Sequence, residues 1–168
     1  NIYANKRFFV KDSFGKSSTR KQHSGLAQGD SLSCILLNIL LTVIMNDAEN
    51  SWKNKPEYNT DFERLFNFNH VLYADDSNLF STTLQSLRCM LHEVEREAKK
   101  YGLRLNVNKT SLICIGVPKN RPKPKMKTLE GKNIPVRDAG KTLGFLLGAG
   151  GLNKRNISRK ISSMLYTM

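Results

Sequence analysis

The sequence is poor in cysteine and in negative charge, and both shortages narrow the range of functions. The three cysteines, Cys34, Cys89 and Cys114, lie far apart and form no Cys-x-x-Cys pair, which argues against a zinc site or a disulfide framework. Aspartate and glutamate number 14 against 27 lysines and arginines, so the formal net charge is +13. Such an excess predicts an anionic partner, and nucleic acid is the usual one.

Long hydrophobic stretches are also missing. The longest apolar run, Ile35 to Met45, is broken by Asn38 and Thr42, and we expect it to be too short to cross a bilayer. No signal peptide or internal repeat is visible, so we expect an intracellular protein without a membrane partner. Hydrophobic residues make up 39% of the chain and include eight phenylalanines, which is enough for a folded core.

A β-hairpin is predicted from about Leu65 to Ser81. Within it, an apolar run ends at Asp75 and Asp76 and a second apolar run follows, which is the pattern of two strands joined by a turn. Two neighbouring carboxylates repel each other, and a divalent cation such as Mg²⁺ would relieve the repulsion. Because aspartate also favours turns, a polar turn without a metal is the other interpretation.

Two helices flank the predicted hairpin. The first is predicted from about Leu32 to Asn50 and should be deeply buried, because apolar residues occur on several of its sides. The second follows Thr82, an expected N-cap in a capping box, and should stop at Gly102. The polar connection from Ser51 to Asp61, which contains the only tryptophan, Trp52, is predicted to be a surface insertion.

Basic residues cluster outside these elements. A short strand near Arg7 to Val10 is predicted to enter a turn, and the basic residues after it are either phosphate contacts or part of a solvated loop. Between Val117 and Lys127 basic residues alternate with proline, which is typical of a linker or of an arm along a phosphate backbone. A basic amphipathic helix is predicted over residues 153–168.

Four motifs occur in an order that resembles the palm of a reverse transcriptase. They are Gln28-Gly29-Asp30-Ser31-Leu32-Ser33, Tyr73-Ala74-Asp75-Asp76, Leu105-Asn106-Val107-Asn108-Lys109-Thr110 and Leu143-Gly144-Phe145. The first and third are most similar to non-LTR (LINE-type) retrotransposon enzymes, with group II intron-type enzymes the nearest alternative. The resemblance implies an α+β palm over residues 1–150, in which an antiparallel sheet carries the catalytic hairpin and packs on two long helices. Residues 151–168 would begin the thumb or a connecting helix.

The resemblance also implies a role for each matched residue. Asp75 and Asp76 would be catalytic and would bind two Mg²⁺ ions, with Asp75 the surer ligand, and Lys109 would protonate the leaving pyrophosphate. The other matched residues would touch nucleotide, template or primer: Gln28 and Gly29 at the nascent base pair, Tyr73 beside the primer terminus, and Leu143, Gly144 and Phe145 in the primer grip. The implied partners are an RNA template, a DNA primer, deoxynucleoside triphosphates and the rest of a retroelement polyprotein. If the host is eukaryotic, the resemblance implies that the protein acts in the nucleus.

One part of the family pattern has no match. Nothing before Gln28 fits the strand that carries the family's first catalytic carboxylate, so we expect the third metal-binding carboxylate to lie outside this chain. We therefore expect the isolated chain to be weak or inactive as a polymerase. A basic nucleic-acid-binding remnant without catalysis is the alternative. A viral RNA-dependent RNA polymerase is a less similar family, because its hairpin usually carries Gly-Asp-Asp.

Overall fold

The computed structural model describes residues 7–21, 31–73, 76–117, 122–142 and 145–148. These described residues form, in chain order, β1 Arg7–Phe8, β2 Lys11–Asp12, β3 Gly15–Lys16, β4 Arg20–Lys21, α1 Ser31–Lys53, α2 Asp61–Phe66, β5 His70–Tyr73, β6 Asp76–Leu79, α3 Leu84–Lys100, β7 Leu112–Ile113, β8 Met126–Lys127, β9 Asn133–Ile134, β10 Val136–Arg137, β11 Ala139–Thr142 and β12 Phe145–Gly148. Two compact units share the chain, residues 1–40 and residues 41–168. The predicted helix over residues 153–168 lies outside the described residues.

The predicted α+β class is confirmed. In the described part of the chain the strands pair two by two: β1 with β4, β2 with β3, β5 with β6, β8 with β9 and β11 with β12 are antiparallel, and β7 with β10 is parallel. The predicted sheet is therefore present as small two-stranded ladders.

Residues 7–21 form a β-hairpin, which we call the arm. Strands β1 and β4 pair near its base and β2 and β3 pair near its tip. The backbone N–H of Ser17 donates to the Val10 carbonyl at 2.8 Å between the two ladders. At the turn, Asp12 accepts the N–H groups of Phe14 and Gly15, and Gly15 adopts φ 146°, a conformation open chiefly to glycine.

Helix α1 extends to Lys53, and our prediction that it is deeply buried is wrong for one of its sides. Along this helix Ile35, Ile39 and Val43 are exposed, whereas Ile44, Ala48 and Trp52 are buried. Each exposed residue precedes a buried one by nine positions, which is about half a turn away around an α-helix. Both sides are apolar in sequence, and among the described residues the buried ones lie on the second side.

The length of α1 corrects another expectation. From Leu32 to Lys53 the helix is long and apolar enough to cross a membrane by length and composition, although its longest apolar run is short. Its C-terminal part, however, packs against protein: Met45, Ala48 and Trp52 form a buried cluster with Met90 of α3. Such packing is typical of a core helix.

Trp52 is fully buried, so the prediction of a surface insertion is wrong at this residue. The helix continues past Asn50, and this places Trp52 one turn after Ala48 on the buried side. Tyr58 packs against the tryptophan, with 6.3 Å between the ring centroids, and the strand residues Leu72 and Leu79 pack against the cluster that contains Trp52. Leu79 also contacts a second cluster, formed by Leu91, Leu112, Met126 and Ile134. Strand β6 therefore joins the two parts of the core.

The region between α1 and the hairpin also differs from prediction. The hairpin was predicted to begin near Leu65, but this residue belongs to the short helix α2. The residue after α2, Asn67, is its C-cap and adopts the left-handed conformation, φ 60°. The second predicted helix, α3, is confirmed, but its N-cap is Thr83, whose side chain accepts the Ser86 N–H at 3.2 Å. After α3, Gly102 takes φ 74°, as predicted for the stop.

Candidate active-site hairpin

The hairpin of β5 and β6 holds two of the predicted site residues side by side. Tyr73 and Asp76 are directly paired, so their side chains leave the same face with Cβ atoms about 5 Å apart. Two residues, Ala74 and Asp75, lie between this pair, and both are outside the described residues. Asp76 is therefore the first residue of β6, whereas the sequence predicted both aspartates at the tip.

The strand register explains why this pair is exposed. Leu72 and Leu79 pack on the core, and residues one or three positions away along a strand point to the opposite face. Tyr73 is next to Leu72 and Asp76 is three residues before Leu79, so both lie on the face away from the core. Accordingly Tyr73 is 64% exposed and Asp76 is exposed. At this end of the hairpin, Tyr73 and Asp76 are thus presented on the face opposite Leu72 and Leu79.

A buried asparagine anchors the base of this hairpin. Asn69 is 3% exposed, and its carbonyl accepts the Phe80 N–H at 2.8 Å. The Asn69 side-chain amide donates to Glu49 Oε1 at 3.0 Å, to the Tyr58 hydroxyl at 2.9 Å and to Glu63 Oε2 at 3.3 Å. One side chain therefore links β5 to α1, to the connection after it and to α2.

Lys53 completes this anchor. Its ammonium lies 3.0 Å from Glu49 Oε1 and 3.0 Å from Glu63 Oε1. Burial raises the pKa of Glu49, but hydrogen bonds from Asn69 and Lys53 outweigh it and hold the pKa below its ordinary range. Burial likewise raises the pKa of Glu63, and hydrogen bonds from Lys53 and Tyr58 reverse that effect. The hydrogen bond to Glu63 raises the pKa of Lys53.

These lowered pKa values predict an acid-sensitive anchor. A carboxyl group whose pKa is lower in the folded state stabilises the fold above its unfolded pKa, about 4.3 for glutamate, and loses that contribution as the pH falls through the folded value. We expect the urea midpoint to decline below about pH 4.3, as followed by circular dichroism. A variant with Glu49→Gln and Glu63→Gln should be less stable at pH 7 and lose less on acidification. An identical decline in the variant and the wild type would contradict this role.

The sequence alone did not identify the anchor. The only local signal is the Glu49–Lys53 spacing of four residues, a common helical ion pair. Asn69, Tyr58 and Glu63 come from three different segments, and nothing in their spacing predicts that they meet.

Lys109 lies in a turn that the same core supports. The turn is closed by the N–H groups of Lys109 and Thr110, each donating to the Asn106 carbonyl at 3.0 Å. It connects Leu105 to Leu112, and both leucines pack in the cluster that includes Leu79 of β6. The Lys109 side chain is exposed. The turn that carries Lys109 and strand β6 of the hairpin are thus supported by the same hydrophobic cluster.

The remaining predicted site residues are described in part or not at all. Gln28, Gly29, Leu143 and Gly144 lie outside the described residues. The backbone of Phe145 opens β12, where it pairs with Thr142 of β11. Of the predicted primer grip, the backbone of Phe145 therefore belongs to the β11–β12 ladder, and Leu143 and Gly144 come between Thr142 and Phe145 in sequence.

The donor set at the hairpin suits a hard cation. Asp76 offers exposed carboxylate oxygens and Asp75 adjoins it in sequence, and Mg²⁺ is usually held by one or two carboxylates together with water and substrate phosphates. Among the described residues no group of three or more histidine, cysteine, aspartate or glutamate side chains could hold a metal ion. The two carboxylates therefore fit a Mg²⁺ whose remaining ligands come from water and substrate phosphates.

Comparison with known proteins identifies the family of the chain. No curated protein and no solved structure matches the chain. A family model described as reverse transcriptase (RNA-dependent DNA polymerase) matches residues 2–147, which is most of the chain. That region contains the hairpin, the Lys109 turn and the sequence Gln28-Gly29. The chain therefore belongs to the reverse transcriptase (RNA-dependent DNA polymerase) family.

Proposed function

We propose that this chain is the palm portion of a non-LTR (LINE-type) retroelement reverse transcriptase. The reaction would add deoxynucleotides to a DNA primer, directed by an RNA template. The observation that carries the proposal is the Tyr73–Asp76 pair. Because Leu72 and Leu79 of the same hairpin pack on the core, the side chains of this pair point away from it. Membership of the family supports the polymerase reaction, and the Gln28-Gly29-Asp30 and Leu105-to-Thr110 motifs support the subtype.

In this proposal Asp75 and Asp76 bind Mg²⁺ together with the nucleotide phosphates. Mg²⁺ held there supplies positive charge that favours attack by the primer 3′-hydroxyl and departure of pyrophosphate. Tyr73, beside Asp76, would orient the primer terminus. Lys109, whose ammonium makes no ion pair within the described part of the chain, would donate a proton to the leaving pyrophosphate. A third carboxylate, which the motifs of this chain do not supply, would complete the site.

A nucleotide-trapping experiment tests the proposal even if chemistry is slow. The protein is bound to a labelled DNA primer on an RNA template, with a dideoxy primer end to prevent extension, and dissociation is followed after adding unlabelled competitor. We expect the complementary nucleotide with Mg²⁺ to lengthen the lifetime of the complex about tenfold, the equivalent of about 1.4 kcal/mol. A mismatched nucleotide should have no such effect, and Asp75→Asn should abolish it.

The same experiment separates the alternative function. A basic remnant without catalysis would bind the primer–template strongly at low salt, because phosphate contacts dominate such binding. Its complex would have the same lifetime with the complementary nucleotide, with a mismatched one and with none. That result, obtained with correctly folded protein, would overturn the polymerase proposal in favour of the remnant.

A further inference from the structure

The arm, residues 7–21, carries basic residues in an unfavourable arrangement. Arg7 is directly opposite Lys21, and Lys11 is directly opposite Lys16. Like charges at directly opposed positions of an antiparallel ladder destabilise it. A neutral strand-forming residue such as threonine at one position of each pair would remove this repulsion. An anionic partner bound to the arm would remove it as well.

The two like-charged pairs lie on one face of the arm. The ammonium of Lys16 lies 3.6 Å from the centroid of the Phe9 ring, so Phe9 shares the face of the Lys11–Lys16 pair. The register changes by one residue between the two ladders, and the extra residue lies in the second strand, as in a β-bulge. The first strand has no extra residue, so the alternation of Arg7, Phe9 and Lys11 puts Arg7 on that face too. Along this first strand the two pairs are separated by about 13 Å, at about 3.3 Å per residue. Four cations with a phenylalanine between them thus form a basic strip, which we call the basic face.

The arm contains no carboxylate that could neutralise the basic face. Its single acidic residue, Asp12, accepts the N–H groups of Phe14 at 2.8 Å and Gly15 at 3.0 Å, so its carboxylate shapes the turn. None of the four basic residues has an ion-pair partner among the residues that the structure describes. At the tip the Phe14 side chain is 98% exposed. A hairpin that contacts no partner gains no stability from an aromatic ring left exposed beside unpaired cations.

We propose that the basic face binds the phosphate backbone of an unpaired nucleic-acid strand, and that Phe14 stacks on a base at the tip. A cationic strip neutralised by phosphates removes the repulsion within each pair. Basic residues together with exposed aromatic rings are the chemistry by which proteins hold single strands. The proposal rests on the proposed function in one respect, the need for a nucleic-acid partner, and assigns that partner a specific contact on the arm.

The test measures binding without catalysis. Fluorescence anisotropy of a labelled single strand of about 20 nucleotides, longer than common single-strand site sizes, is followed in EDTA without nucleotides. The variant Lys11→Ala with Lys16→Ala is compared with Lys99→Ala with Lys132→Ala, which removes equal charge from two exposed lysines elsewhere. We expect the arm variant to weaken binding about tenfold and to reduce the slope of log affinity against log salt by about 1.4, or about 0.7 per lost phosphate contact.

Folding controls keep the outcome clear. The arm variant should change its thermal midpoint little, because removal of a like-charged pair offsets loss of the contact between Lys16 and the Phe9 ring. Equal losses in the arm variant and the matched control would overturn the proposal, as would tighter binding of a duplex of the same length. Binding to vesicles of anionic phospholipid is measured in parallel. If the arm variant lost affinity for the vesicles but kept its affinity for the single strand, the proposal would be overturned and the basic face assigned to a membrane. At saturating protein the arm variant should still trap the complementary nucleotide, so failure of the active-site proposal can be distinguished from failure of this one.

Discussion

Replacing Trp52 with alanine is expected to cost about 3–5 kcal/mol of folding stability, as for other fully buried aromatic residues. The indole is completely buried, lies against the rings of Tyr58 and of His70 on β5, and belongs to the cluster that contains Met90 of α3, so its loss leaves a cavity in that cluster. A small domain is stable by only about 5–15 kcal/mol, so this change removes a large share. Urea unfolding should be followed by circular dichroism, because the variant lacks the only tryptophan.

The matched control for this prediction is Leu65→Ala on α2. Leu65 is 71% exposed, and removal of an exposed side chain usually changes stability by less than about 0.5 kcal/mol. Trp52→Phe should lie between the two variants, since it keeps an aromatic ring in the site. If Trp52→Ala cost no more than Leu65→Ala, the tryptophan would not be the centre of the core.

Replacing Asp75 with alanine is expected to weaken divalent metal binding about tenfold or more, which corresponds to at least about 1.4 kcal/mol. Mn²⁺ is a suitable probe, because it shares the oxygen ligands of Mg²⁺ and its free form is measured by electron paramagnetic resonance. Asp76→Ala should weaken binding less, because Asp75 is the surer ligand by resemblance and Asp76 begins a strand opposite Tyr73. The double variant should lose specific binding.

Two further measurements interpret that result. Asp47→Ala with Asp138→Ala removes two exposed carboxylates elsewhere and should leave Mn²⁺ affinity unchanged. Without metal, the Asp75 and Asp76 variants should be as stable as the wild type or slightly more stable, because neighbouring like charges repel. Equal Mn²⁺ affinity in the wild type and the double variant would favour the interpretation of the hairpin as a polar turn.

Local sequence patterns predicted the secondary-structure elements that are set by interactions between residues close in sequence. The alternation around Tyr73 and Asp76 was sufficient for a hairpin, and the apolar stripe and terminal signals of α3 located that helix to within a residue or two of its ends. Where the sequence is equally apolar on two sides, as in α1, it could not identify the side that packs. The buried side, with Ile44, Ala48 and Trp52, is determined by contacts with α3 and the hairpin.

The anchor of the hairpin was beyond prediction for a different reason. A buried amide such as Asn69 is stable only where acceptors surround it, and its acceptors Glu49, Tyr58 and Glu63 meet through the packing of separate segments. The opposed basic pairs of the arm could not be predicted from the sequence either. Basic residues were evident in sequence, but the register of the strands determines that Lys11 faces Lys16 and Arg7 faces Lys21.

The sequence by itself determined the chemistry of this protein: its excess of positive charge, the adjacent carboxylates Asp75 and Asp76, and a motif order that indicated the family. These are properties of residue type and spacing, so they do not depend on packing. The tertiary structure decided which side of α1 is buried, which residues hold the hairpin by its base, and that Tyr73 and Asp76 lie on the exposed face. These depend on contacts between segments distant in the chain, which burial and hydrogen bonding select only when the whole core is assembled.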